Sequence, residues 1–194
     1  MKVLRNVLLL LSFLALQGCV VTSLNPIYTE KDVVYLPQLE GTWSGDESNA
    51  DYVQFLPAAD SDNEYTILFS SKEARVALSG HLSSLDEKIY LDLTIKEVDD
   101  ATEEKCPELA FTRPIHFFYM IEVEGDTFRM RGMSSSWVKQ RREKHLLRIS
   151  HNPEGDSTLL TADTARVQRF LKRWDNNKDA WDGWQELKRI PHPA

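Results

Sequence analysis

The sequence predicts a mainly β protein: an antiparallel meander of about eight short strands closing on itself as a barrel, with one amphipathic helix after the strands. Three observations carry this expectation. Apolar residues alternate with polar ones in several consecutive runs, a short glycine-containing connection joins two such runs, and a single apolar stripe of helical period follows them.

Alternation is clearest over Lys88 to Ile95, where Ile89, Leu91, Leu93 and Ile95 face one way and Lys88, Tyr90, Asp92 and Thr94 the other. Successive side chains of a strand point to opposite faces, so this run buries one face only. Tyr65, Ile67 and Phe69 repeat the pattern, as do Val76, Leu78, Gly80 and Leu82. Ile115 to Val123 and Thr127 to Met133 flank Glu124-Gly125-Asp126, a hairpin connection. Gly41 to Gly45, Tyr52 to Leu56, Leu146 to Ser150 and Thr158 to Thr161 complete a set of eight or nine strands at close spacing.

The helix is read from Val167, Phe170, Leu171 and Trp174, which fall at i, i+3, i+4 and i+7 and form one stripe, with Arg166, Arg169, Lys172 and Arg173 over much of the rest. Thr161 or Asp163 can cap its start, and Asn176-Asn177 can end it. The strand Ile115 to Val123 is apolar on both faces, with Phe118 and Met120 opposite Phe117, Tyr119 and Ile121. One face lines the barrel, so the helix is expected to cover Phe118 and Met120 on the other.

The start of the chain has a different character. Lys2 and Arg5 precede Val7 to Leu16, an apolar stretch broken only by Ser12. At about 1.5 Å per residue it reaches about 15 Å, half of a hydrocarbon core of about 30 Å, so it has the length of an export signal and not of a span. Leu16, Gln17, Gly18 and Cys19 resemble the lipobox of bacterial lipoproteins. The resemblance implies cleavage before Cys19, a diacylglycerol thioether on its sulfur and acylation of the new amine by a fatty acid such as palmitate. Two or three acyl chains anchor stably where one does not. Val20 is not the Asp that signals inner-membrane retention, which points to the outer membrane, facing the periplasm.

Three segments follow: a signal peptide over 1–18, removed on export; a lipidated N-terminus and tether over 19–38; and a single β-rich domain with its C-terminal helix over 39–194. Without Lys2 and Arg5 the mature chain has 21 basic and 30 acidic residues, a formal net charge of −9. That balance argues against nucleic acid. The tether is apolar rather than Gly/Ser-rich, with Ile27, Tyr28, Val33, Val34, Tyr35 and Leu36 between Pro26 and Pro37, so it is expected to pack on the domain. Extended, it would reach at most roughly 65 Å. Once Cys19 carries lipid, Cys106 has no disulfide partner; its acidic neighbours Asp99, Asp100, Glu103, Glu104 and Glu108 are expected to weaken it as a nucleophile, which suits an idle loop or buried thiol.

Gly41-Thr42-Trp43 at the first strand, the antiparallel strands and the late helix together resemble the lipocalin-like group. In that group a late Arg packs on the Trp, a role open to Arg148 or Arg189. Leu24 to Val34, leading into Gly41-Thr42-Trp43, also resembles the start of uncharacterised bacterial lipoproteins.

An eight-stranded barrel is just wide enough to fill itself with side chains or to hold one small ligand. Ile67, Phe69, Leu78, Leu91, Leu93, Phe117, Tyr119 and Ile121 are the candidate lining of an apolar pocket, and the same residues would equally form an ordinary core. Asp175, Asn177, Asp179 and Glu186 fall at positions 1, 3, 5 and 12 of a calcium loop, but Ala180 occupies the position that requires Gly, so no metal is expected. Lys139, Arg141, Arg142, Lys144 and His145 cluster beside Trp137; a solvated turn and a patch resting on anionic headgroups both fit. His81, His116, His145, His151 and His192 show no metal-type pairing, and Ser134-Ser135-Ser136 lacks a nucleophile-elbow context. No cofactor or catalytic residue is expected. The function expected is a non-enzymatic, membrane-anchored envelope lipoprotein binding an apolar small molecule or lipid; the alternative is a module that docks an envelope protein.

Overall fold

The computed structural model describes residues 20–45, 51–59, 61–71, 75–98, 115–152 and 157–191. Cys19, Cys106 and His192 lie outside them. In chain order the strands are β1 (Val21–Ser23), β2 (Val33–Val34), β3 (Gly41–Ser44), β4 (Tyr52–Pro57), β5 (Glu64–Ser70), β6 (Arg75–Leu85), β7 (Lys88–Val98), β8 (His116–Glu124), β9 (Thr127–Gly132), β10 (Thr158–Leu160) and β11 (Gln185–Ile190). The helices are α1 (Ser135–Glu143), between β9 and β10, and α2 (Thr164–Trp174), between β10 and β11.

Strands β3 to β9 form an antiparallel meander, and β11 closes it by pairing with β9 on one side and β3 on the other. The result is a closed eight-stranded antiparallel barrel. Short connections set the register: Gly125 takes φ 57° in the β8–β9 turn and Asp86 takes φ 55° in the β6–β7 turn, the left-handed backbone that suits two-residue hairpins. Strands β6 and β7 extend past their neighbours, and the freed edge of β6 at Leu82 and Ser83 takes up β2. On the far side of β8, β1 pairs where β9 has ended and then binds β10 in parallel.

The expected tether is therefore part of the sheet. Ile27 is fully buried, its N–H donates to Asp92 Oδ2 at 2.8 Å, and its carbonyl accepts from Gln168 Nε2 on α2 at 3.0 Å. Pairing of β1 with β8 and of β2 with β6 ties the segment to the barrel wall.

Two cores lie on opposite faces of the sheet. The inner one lines the barrel from Leu39, Trp43 and Phe55 to Tyr119, Phe128 and Leu187. The outer one joins Tyr90, Phe118 and Met120 on the barrel wall to Val167, Phe170 and Leu171 of α2, as the two-faced strand predicts. Asp163 caps α2 by accepting from Arg166 N at 2.9 Å, and Trp181 Nε1 donates to the Trp174 carbonyl at its far end at 2.8 Å.

Three sequence expectations need correction. Leu146–Ser150 is not a strand; only the next residue, His151, makes an isolated bridge, to Leu160. The basic cluster is not a turn but lies largely within a second helix, α1, which buries only Val138 and so shows no apolar stripe. Its Arg141 and Arg142 sit in the last turn, where positive charge suits the helix dipole. The eighth barrel strand is β11, whose pattern has a single buried residue, Leu187, among polar ones.

Leu171 is fully buried between α2 and the barrel wall, while the neighbouring Lys172 is part-exposed and meets Asp86 at 2.7 Å. Leu171→Ala is expected to cost about 3 kcal/mol and Lys172→Ala about 0.5 kcal/mol or less, measured by urea unfolding.

Candidate functional site

Among the described residues, aromatic side chains seal one end of the barrel interior. At the end where β4 runs into β5 and β8 into β9, aromatic rings interlock. Trp43 and Phe128 have centroids 5.7 Å apart, Phe128 and Phe55 5.5 Å, and Phe55 and Tyr65 6.1 Å, all tilted or edge-on as ring quadrupoles prefer. A short turn over Pro37–Leu39 sets the fully buried Leu39 into the same end, and its carbonyl accepts from Trp43 Nε1 at 2.8 Å.

Arg189 on β11 locks this end from outside. Its guanidinium lies 4.2 Å from the centroid of the Trp43 ring, its Nη1 and Nη2 donate to the carbonyls of Glu40 and Gln38, and its Nε reaches Asp126 Oδ1 at 3.1 Å. Of the two arginines the resemblance left open, Arg189 is the one on the tryptophan. Gly41 takes φ 123°, and a Cβ there would collide with the Arg189 guanidinium, so the glycine of Gly41-Thr42-Trp43 is required twice over.

All eight predicted lining residues lie in or against the inner core. Ile67, Leu91 and Leu93 are essentially inaccessible, with Leu78, Tyr119 and Ile121 nearly so, and Phe69 and Phe117 are half-buried. Gly80 makes room at mid-barrel, because a Cβ there would meet the Ile67 side chain. Toward the other end the described side chains are less buried. Phe69 pairs with Val76 across β5–β6 and both are half-buried. Ile95, which faces the same way as its partner Leu78, is 41% exposed.

Among the described residues, one polar atom inside the barrel has no partner. The Tyr119 side chain belongs to the inner core, yet its buried hydroxyl has no hydrogen-bond partner among the described residues. Burial raises its pKa, so the phenol is neutral and can donate. Tyr65 is the contrast: its hydroxyl, equally raised by burial, accepts from Leu36 N at 2.7 Å and donates to Leu36 O at 3.1 Å.

On the outside of the barrel the fold assembles a polar cluster that sequence spacing does not announce. Asp92 is 1% exposed and pairs with His116 Nδ1 at 2.7 Å; His81 on the adjacent strand stacks on Tyr28 at 4.2 Å and lies 3.9 Å from Glu64. The signal available was indirect: Asp92 opposes Phe118, so a cover over Phe118 also covers Asp92. Ser23, which pairs with His116, spends its hydroxyl on the Asn25 carbonyl at 2.6 Å.

The calcium-like residues are not brought together as ligands. Asn177 caps a turn by accepting from Asp179 N at 3.0 Å, Glu186 on β11 pairs with Arg129 and Lys188, and no group of three metal-ligating side chains occurs among the described residues.

Arg189→Ala is expected to lower stability by about 2 kcal/mol, since it removes the ring contact and the bonds to two carbonyls, and to redshift tryptophan emission as Trp43 becomes wet. Burial pushes the His81 pKa below its ordinary value of 6.5, against the opposing pull of Glu64 and Asp92. The unfolded chain then binds the proton more readily, so the His81 contribution is fully present above pH 6.5 and is lost as pH falls below it. His81→Phe, which keeps a ring against Tyr28, should lose less stability than the wild type between about pH 7 and pH 5 in paired thermal melts.

No protein-family model, curated protein or solved structure matches the chain.

Proposed function

We propose that the protein is an envelope lipoprotein, acylated at Cys19 and held on the outer membrane facing the periplasm, whose barrel binds one apolar small molecule or lipid fragment and catalyses no reaction. The observation that carries this reading is the asymmetry of the barrel. Among the described residues one end is plugged by interlocked aromatic rings, while toward the other Ile95, which faces as Leu78 does, is 41% exposed and Phe69, Val76 and Phe117 are half-buried.

Apolar side chains aimed into a barrel and left open to water gain free energy when an apolar ligand covers them, at about 25 cal/mol per Å². Tyr119 adds selectivity, because its unpartnered hydroxyl is satisfied by a ligand with one acceptor atom. The anchor suits a ligand drawn from the membrane. Only Val20 separates Cys19 from β1, a reach of about 7 Å, so an acylated Cys19 holds the barrel directly against the bilayer. The Asp92–His116 pair lies outside the barrel, and the hydroxyl nearest in register, on Ser23, is already committed to Asn25.

Native mass spectrometry of the protein purified from its host tests the reading. The expected result is an additional apolar species that is lost in Ile95→Arg, a change at a part-exposed position. Tyr119→Phe should leave the unliganded protein as stable as the wild type, because no hydrogen bond is removed, yet weaken ligand retention about threefold to tenfold. A species-free protein with a filled interior would overturn the ligand assignment. For the anchor, Cys19→Ser should move the protein to the soluble fraction without lipid mass; an unchanged membrane fraction and mass would reject it.

A further inference from the structure

Outside the barrel, an open groove of about 800 Å³ runs between α2, the end of α1 and the segment Leu146–Ser150. Five arginines line it: Arg166, Arg169 and Arg173, one helical face of α2 at i, i+3 and i+7; Arg141 from α1; and Arg148 from the segment between. In a chain of net charge −7 such a gathering of one sign is a local inversion. It joins two basic stretches that are separate in the sequence.

Among the described residues these arginines make few internal polar contacts. Among the described residues only Arg166 has a carboxylate within ion-pair distance, Asp163 at 3.3 Å, and Arg169 reaches only the Ala165 carbonyl at 3.4 Å. Two of the guanidiniums, those of Arg141 and Arg173, are oriented by rings. Arg141 lies 4.8 Å from the Trp137 centroid and 4.4 Å from that of Trp174, Arg173 lies 5.2 Å from Trp174, and the two indoles meet edge-on at 5.0 Å. Stacking fixes a guanidinium plane while leaving its N–H edges free to donate, which is the arrangement that takes phosphate oxygens two at a time. Leu146, 45% exposed, contributes an apolar patch to the lining of the same groove, with Phe170 and Trp174.

We infer that this groove binds the phosphate-bearing headgroup of an anionic membrane lipid. The chemistry requires several anionic oxygens for the arginines together with an apolar portion for Leu146 and the indoles, and a phospholipid supplies both. The position is consistent with that source: His151 bridges to β10, and β10 pairs with β1, so the groove wall lies about two strand spacings, roughly 10 Å, from the strand that follows Cys19. The inference rests on the anchored reading only for the source of the phosphate. The groove is separate from the barrel interior, so either site can fail without the other.

The test uses the full chain in non-ionic detergent micelles, titrated in turn with a short-chain phosphatidylglycerol, a short-chain phosphatidylcholine and inorganic phosphate, and followed by tryptophan fluorescence and calorimetry. Saturable binding is expected for phosphatidylglycerol, weakened about tenfold in Arg141→Gln or Arg173→Gln and again in Arg148→Gln, which lies in the segment outside both helices. Unchanged near-ultraviolet dichroism establishes that the variants are folded. Equal affinity for phosphatidylcholine, or binding untouched by all three substitutions, overturns the proposal. Inorganic phosphate binding as tightly as the lipid overturns the membrane source and assigns the groove to a soluble phosphate. Failure of Cys19 acylation alters none of these readouts.

Discussion

Barrel closure by β11 is the constraint on which the rest of the fold depends. Seven strands of the meander form with their sequence neighbours, but an open seven-stranded sheet leaves the edges of β3 and β9 unpaired, and only β11 satisfies both. The closing strand arrives after two helices. Its Arg189 then spans the seam, touching the Trp43 ring of the first barrel strand, the carbonyls of Gln38 and Glu40, and the β8–β9 turn at Asp126. One side chain thus ties both termini of the barrel and one of its hairpins together, and the aromatic seal beneath it depends on that tie.

The second constraint is that the barrel wall is wet on only part of its outer face. Phe118 and Met120 require a cover, which α2, β1 and β10 provide by building the outer core. Covering them buries Asp92 as well, and a buried carboxylate must be satisfied. The Ile27 N–H and the His116 ring do so. The N-terminal segment is therefore bound by a polar requirement as well as an apolar one, and this explains why a stretch that reads as a tether becomes two strands of the sheet.

Charge is distributed unevenly over this frame. Acidic residues outnumber basic ones in the composition, yet the side carrying α1 and α2 collects arginines, two of them held on tryptophan rings, while Phe69, Val76 and Phe117 toward one end of the barrel are half-buried. The proposed anchor at Cys19, two residues before β1, would set the basic groove beside a lipid surface.

Local patterning by itself determined the meander, because alternation in Lys88–Ile95 and in the two arms around Gly125 depends only on which neighbours are apolar. It also determined α2 from the stripe of Val167, Phe170, Leu171 and Trp174, and the identity of the inward-facing set from Ile67 to Ile121, since a period of two divides inside from outside without knowledge of the partner strand. Tertiary structure alone decided the rest. β11 is polar on most of its length and buries one residue, so its strand character comes from the two edges waiting for it. α1 buries only Val138 and is held by its neighbours; the choice of Arg189 over Arg148, the Asp92–His116 pair and the arginine groove join residues far apart in the chain. Contacts of that kind depend on how the closed barrel brings its ends and its covering helices together, and no local periodicity records them.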